Sequence, residues 1–438
     1  MKKGVKIYNL YPQLIGHISK WSDHLDRIKE MNFDWVYVNP FHLPGFSGSC
    51  YSLKSHYLYN PLFTKGTFDY DNLEAEQEKG NALISEFCSN ANAKGLKVMM
   101  DIVVNHTSFD SELLMTNSYW YEHDNDGEIK KPGTLEDGYF IEWGDLLQLD
   151  NLSKDLDTRR EIWKYWRDYL TYYIELGVKG FRCDAAYMVP TELWKFLIPE
   201  IKKQNPEIIF IAETLNCKPE KIKELSAAGF DFVMNSIKWW NYKDHWFMMD
   251  YSKWMGTANS LAFPENHDTE RFAKEYGTKD KAIAIYAIQS YFSSSIAITT
   301  GFEYGFTKKI DVVTTNPLDW EEGTYDITNE IKGINKTKST YKILQEDSKV
   351  YIYDFHNNKV FGYIRESNDG EENILVIANL CETEGVEFYV PNLHNLLRSE
   401  RVLDISHGHR MERVADEINY YLQPNEVKIF YAKKGEKE

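Results

Sequence analysis

The stretch GVKGFRCDAAYMVP, residues 177–190, sets a guanidinium and a carboxylate at the end of an otherwise apolar run. Gly180, Phe181 and Cys183 read as part of a buried strand. Alternate positions on a strand project to the same face, so Arg182 and Asp184 stand side by side. A buried structural ion pair is the plain explanation of such an R-x-D, although these pairs are costly to desolvate and often add no net stability. Charges at a strand end can instead be there for chemistry. The neighbouring segments decide between the two.

Seven further short apolar or β-branched runs accompany this one. They are VKIYNLY (5–11), WVYVNP (35–40), KVMMDIVV (97–104), IIFIAE (208–213), FDFVMN (230–235), SLAFPEN (260–266) and IAITTGFE (296–303). Continuous apolar runs suit strands buried on both faces of a parallel sheet. Segments such as HLDRIKEMN, ALISEFCSNANAKG and REIWKYWRDYLTYYIELG lie between them and carry helical apolar spacing, several ending at Gly or Asn. Eight alternating units predict an α/β fold, a (β/α)8 barrel, with a doubly wound open sheet as the alternative. The barrel is expected over 1–106 and 151–345. The polar, aromatic, turn-rich connection 107–150 is too long for a simple crossover and is expected to be an inserted subdomain. From 346 to 438 short alternating segments with turns such as NN and NDG predict a C-terminal antiparallel β-sandwich.

Bulk composition removes several function classes. Fifty Lys+Arg against sixty-seven Asp+Glu leave a net charge of −17, which argues against nucleic-acid or anionic-membrane partners. No apolar run is long enough for a transmembrane helix. The start, MKKGVKIYNLYPQLIGHISK, lacks a continuous apolar core and reads as entry into a first strand rather than a signal peptide. Five cysteines without metal-site spacing read as reduced thiols, and a cytoplasmic location is expected. Aromatic residues make up 15% of the chain, mostly for core packing, but sugar-binding clefts also use aromatic faces.

The C-terminal ends of barrel strands form the functional face. Strand three runs into Asp101, Asn105 and His106 (DIVVNHTS), strand four ends Arg182-Cys183-Asp184, strand five ends at Glu213 (IIFIAETL), and strand seven runs into Asn266-His267-Asp268 (FPENHDTER). Singly, each has a dull reading as a cap, a turn or a surface residue. Together at one end of successive strands they predict an acidic cleft with two histidines and an arginine.

The segments DIVVNH, GFRCDAA, AETL and ENHD resemble, in order and spacing, the four signature regions of the α-amylase superfamily, glycoside hydrolase family 13. The resemblance extends to the insertion after strand three and the C-terminal β-region. It implies retaining cleavage of α-glucosidic bonds in α-glucans or maltooligosaccharides, which needs an ionised nucleophile and a protonated acid. On that resemblance Asp184 is the nucleophile, kept ionised by Arg182, and Glu213 the general acid/base with a raised pKa. Asp268 is the third carboxylate, gripping sugar hydroxyls. His106 and His267 hydrogen-bond the reacting ring, Asp101 organises Arg182, and Tyr51 (in FSGSCYSLKSHY) stacks under the sugar. His42, Trp239, Trp240, Trp246 and Trp254 are candidates for outer subsites, with core or surface packing as the plain alternative.

Many family members bind a structural calcium through the Asn of the first region and an acid before strand four. Here Asn105 is the candidate ligand, but the second position carries Gln148, with Asp145 and Asp150 near, so no cofactor is expected to be required. The segments ITTGFEYGFTKKIDVVTTNPLDWEE and NPFHLPGFSGSCYSLK are similar to those of maltosyltransferase-like members. Hydrolysis leads, with transglycosylation by the same residues as the alternative. Two readings of other classes are a catalytically inactive carbohydrate-binding barrel, disfavoured because all three carboxylates are present, and a metal-dependent barrel enzyme, disfavoured because no H-x-H or H-E-x-x-H spacing occurs.

Overall fold

The computed structural model describes residues 2–64, 68–136, 139–242, 244 and 246–437. Eight parallel strands close into a barrel in chain order: β1 (Lys6–Leu10), β2 (Trp35–Val38), β3 (Lys97–Ile102), β4 (Gly180–Cys183), β5 (Ile209–Ala212), β6 (Phe232–Met234), β7 (Asn259–Ala262) and β8 (Ser295–Thr299), with β8 pairing back to β1. Six fall within the runs read from the sequence, and β7 and β8 each begin one residue earlier. The open-sheet alternative is thereby removed.

Each strand is apolar on both faces because each face meets a different core. Ile7, Trp35, Met99, Ile209, Ile211, Phe232 and Leu261 fill the barrel interior. The alternate residues, such as Tyr8, Val36, Val98, Met100, Phe181 and Phe210, face the surrounding helices. Leu73–Ala93, Leu156–Glu175 and Thr191–Gln204 are the long helices of that layer. Asn72 and Asp155 cap the first two, accepting from the backbone N–H groups of Ala75 and Thr158.

Within the long connection after β3, His106–Ser108 pairs with Leu146–Gln148, and Gly133–Glu136 with Tyr139–Glu142, both antiparallel. Toward the C-terminus come β9 (Val350–Ile352), β10 (Val360–Glu366), β11 (Glu372–Asn379), β12 (Val386–Val390), β13 (Val402–Asp404), β14 (Ile418–Leu422) and β15 (Val427–Lys433). They form a five-stranded antiparallel sheet, β9-β10-β11-β15-β13, and a two-stranded sheet, β12-β14. Leu375, Ile377 and Phe430 of the larger sheet pack with Phe388, Val390 and Leu422 of the smaller, which makes the expected sandwich. Among the described residues no helix is long and apolar enough to cross a membrane.

One cluster in the barrel wall has a pH consequence. His42 and His56 are buried against the helix Leu156–Glu175, their rings bonded to Tyr173 Oη (3.0 Å) and Tyr165 Oη (2.9 Å). Burial pushes His56 down to about 4 and His42 well below its ordinary value. Between pH 6.5 and 4 the unfolded chain therefore binds protons that the folded His56 refuses, and stability falls with pH. His56→Gln should remove its share of that loss. The variant's unfolding free energy relative to the parent should improve by about 2 kcal/mol from pH 7 to pH 5, read by urea unfolding at both values. A pH-independent difference would show that His56 does not titrate in this window.

Candidate active site

Strand register brings the charged groups together. Asp101 on β3 pairs directly with Arg182 on β4, so both side chains leave the barrel wall on the same face at the same height. The ladder continues one residue further. Asp184 N–H donates to Ile102 O (3.0 Å) and Glu213 N–H to Cys183 O (3.2 Å), which lifts both carboxyls to the C-terminal rim.

Arg182 is the centre of the site. Its Nη1 donates to both oxygens of Asp101 (3.0 and 2.9 Å) and to Asp184 Oδ1 (2.7 Å), and its Nη2 pairs with Glu213 Oε2 (2.9 Å). One guanidinium thus faces three carboxyls. Asp101 also accepts from the Tyr37 and Tyr51 hydroxyls (2.5 and 2.7 Å), so its charge is the best satisfied of the three. Burial pushes Asp184 up to about 7, and Arg182, though it pulls the other way, does not overcome this. Arg182 does pull the Asp184 pKa down, as expected, but its charge is divided among three partners and the burial of Asp184 outweighs it. Glu213 is also raised, chiefly by burial and further by Asp184 and Asp268, against the pull of Arg182.

His267, on the loop after β7, faces this cluster. The Tyr51 hydroxyl spends its proton on Asp101, so it accepts from His267 Nε2–H at 2.8 Å; Asn39 Nδ2 donates to His267 Nδ1 (3.2 Å). That fixes a neutral ring with its proton on Nε2, in keeping with the lowering of its pKa by burial. Asp268 Oδ2 stands 3.3 Å from the same Nε2, and its side chain is 52% exposed toward the cleft.

Tyr51 stacks its ring on His267, with centroids 5.2 Å apart and planes at 8°, and joins Asp101 to His267 through its hydroxyl. His106 is buried, and its Nε2 bonds the Tyr51 carbonyl (3.2 Å), so it supports the Tyr51 loop. His42 does not reach the cleft; it is buried against Tyr173, and its place among the outer-subsite candidates is corrected to core packing.

The four tryptophans do gather. Trp239, Trp240, Trp246 and Trp254 line a cavity of about 840 Å3 that opens beside Glu213 and Asp268 and includes Asn216, Cys217 and Asp250. Trp239 and Trp246 are half exposed at its edge (50% and 46%), whereas Trp240 and Trp254 are buried in its wall.

The surroundings of Asn105 do not suit calcium, a hard ion that takes six to eight oxygen ligands. Asn105 Nδ2 turns to His106 Nδ1 (3.4 Å). Gln148 donates to Glu122 Oε2 (2.9 Å), and Lys130 neutralises the other oxygen of Glu122. Among the described residues no three of His, Cys, Asp and Glu converge to hold a metal.

Some supporting residues escaped the sequence reading. Tyr37, Asn39 and Asn9, which donates to Asn39 Oδ1 (2.6 Å), form the polar floor under Asp101 and His267. Their signal was a polar residue inside or closing the runs KIYNL and WVYVN. Glu265 and Arg271 make a buried pair (3.1 Å) that closes the loop bearing His267 and Asp268, and Arg271 is tied to Thr300 O (2.8 Å) beyond β8.

Comparison with known proteins agrees with this geometry. The family model for the glucanotransferase domain of glycogen debranching enzyme matches residues 2–123. The chain is 25% identical over 407 residues to an α-1,4-glucan:maltose-1-phosphate maltosyltransferase of Picrophilus torridus, covering 85% of this chain but 60% of that protein. It thus spans less than two thirds of that relative's length. It is 22% identical over 408 residues to α-amylase 2 of Dictyoglomus thermophilum, covering 86% and 66% of the two chains. The crystal structure of an α-amylase from Lactobacillus plantarum superposes with a TM-score of 0.77 at 20% identity, over 98% of both chains. With its four signature segments on the rim of such a barrel, the chain is similar in sequence to maltosyltransferases and an α-amylase and shares the fold of α-amylases.

Proposed function

We infer that the chain cleaves α-glucosidic bonds in α-glucans or maltooligosaccharides with retention, through a glycosyl-enzyme on Asp184 and with Glu213 as acid/base. The observation that carries this is one arginine holding both carboxyls, from adjacent strand ends, over a closed barrel. The Arg182 charge is offset by Asp101, so Asp184 and Glu213 are left as neighbouring acids in a buried site, where one shared proton is favoured over two negative charges. Arg182 engages Asp184 through Oδ1, which leaves Oδ2 to attack the anomeric carbon. As that bond forms, Glu213 gives its proton to the glycosidic oxygen and the C–O bond breaks, releasing the leaving sugar. In the second half Glu213 takes a proton from the incoming hydroxyl, whose oxygen displaces Asp184. Asp268, exposed to the cleft, and the buried His267, 3.3 Å from it, grip hydroxyls of the reacting sugar.

Transfer to a sugar rather than to water is favoured by one feature. The cavity beside Glu213 adjoins the group that protonates the leaving oxygen, so it is the side on which leaving and accepting sugars sit. Two half-exposed indoles, Trp239 and Trp246, offer stacking faces there. The similarity to maltosyltransferases points the same way.

Product analysis on maltooligosaccharides of defined length, with and without inorganic phosphate, separates the readings. Hydrolysis gives shorter products alone. Transfer gives longer chains beside shorter ones, and a sugar phosphate appears only if phosphate accepts the glycosyl group. No product from any α-glucan donor would overturn the proposal and favour a barrel that only binds.

A further inference from the structure

Ala185, the residue after Asp184, has φ +40°, in the left-handed region that residues with a Cβ rarely occupy. It is buried at the mouth of the barrel. Strain of this kind persists when the surroundings enforce it, and it gathers at functional sites. Here the turn has a visible product. It swings the Ala185 N–H toward β5, where it donates to Glu213 Oε2 at 2.7 Å.

The same oxygen faces Arg182 Nη2 at 2.9 Å. Oε2 thus accepts the Ala185 N–H and lies against the Arg182 cation, and a carboxyl oxygen so placed is the wrong one to carry a proton. The proton of a neutral Glu213 must then sit on Oε1.

We propose that Ala185 is a positioning residue: its left-handed backbone aims an amide at Glu213 Oε2, so that Oε1 carries the proton delivered to the glycosidic oxygen. This rests on the acid/base reading of Glu213 given above. Without the amide, Oε2 could take the proton and the acid would point it away from the substrate. The Ala185 amide also favours the ionised form of Glu213, so its loss should raise the pKa of the acid.

The direct test replaces Ala185 by lactic acid through nonsense suppression, exchanging the N–H for an ester oxygen while keeping the side chain. Ala185→Gly is the control, since it retains the N–H and adopts positive φ without strain. The ester variant should lose about tenfold or more in kcat/KM on maltooligosaccharides, the effect of removing a hydrogen bond to a charged group. It should lose little on an aryl glycoside whose leaving group needs no proton, and the alkaline limb of its pH profile should move up. Ala185→Gly, which retains the N–H, should keep the parent's dependence on the leaving group and its alkaline limb. Equal losses of the ester variant on both substrates, or an unmoved alkaline limb, would overturn the proposal. If Glu213→Gln itself showed no dependence on the leaving group, the acid/base reading would fail instead.

Discussion

Asp184→Asn is expected to lower turnover of α-glucans by about 10^4-fold or more while making the folded protein more stable at neutral and alkaline pH. The first half follows from removal of the only oxygen placed to attack with its partner oxygen fixed on Arg182. An amide has nearly the same shape and still reaches Arg182 through its carbonyl, so substrate binding should survive better than turnover.

The second half follows from the pKa. Asp184 is pushed up to about 7 in the folded protein by burial, against an ordinary value of 3.8. Between those two values the folded state holds a proton that the unfolded state has released. The stability this supplies is fully present below pH 3.8 and is lost as pH rises through 7. The Asn variant carries no such loss. Its advantage over the parent should therefore grow with pH from 4 to 7 and level off above, by an amount on the order of 3 kcal/mol. Urea unfolding of both proteins across that range measures it. A loss of turnover without the pH-dependent gain would mean that Asp184 is ionised throughout, with Arg182 outweighing burial.

The barrel was legible because its strands are buried on both faces, which writes each one as a short apolar run. The carboxylates and Arg182 were legible because a charge at the end of such a run is conspicuous. The network joining them was harder to see. Asn9 and Asn39 lie 30 residues apart, and only closure of the barrel sets them under His267. The net upward shift of Asp184 is hidden for a related reason, although Arg182 pulls downward as the motif suggests. An R-x-D motif shows one cation beside one carboxylate, whereas Arg182 serves three carboxyls drawn from three strands. Ala185 could not be read at all, since nothing in DAAYMVP marks a left-handed turn. His42 was misplaced because a histidine in a polar, Gly- and Pro-rich loop gives no sign that Tyr169 and Tyr173 bury it.

Arg182→Met is expected to cost about 3–5 kcal/mol of stability at pH 8, because removing one partner of a buried ion pair leaves the other charges uncompensated. Asp101 would keep its bonds from Tyr37 and Tyr51 but lose its cation, while Asp184 and Glu213 would lose theirs altogether. Each acid would then be raised further, so the variant binds more protons when folded than the parent does, and its deficit should shrink as pH falls toward 5. Arg182→Lys distinguishes charge from geometry. A lysine restores one positive charge, yet its single ammonium cannot replace a planar fork that spans Asp101, Asp184 and Glu213. It should recover part of the stability and little of the turnover. Urea unfolding at pH 5 and pH 8, with kcat on maltooligosaccharides alongside, reads both. A deficit of the Met variant that is the same at both pH values would show that Arg182 contributes packing rather than charge, and full activity in the Lys variant would show that one positive charge suffices without the fork.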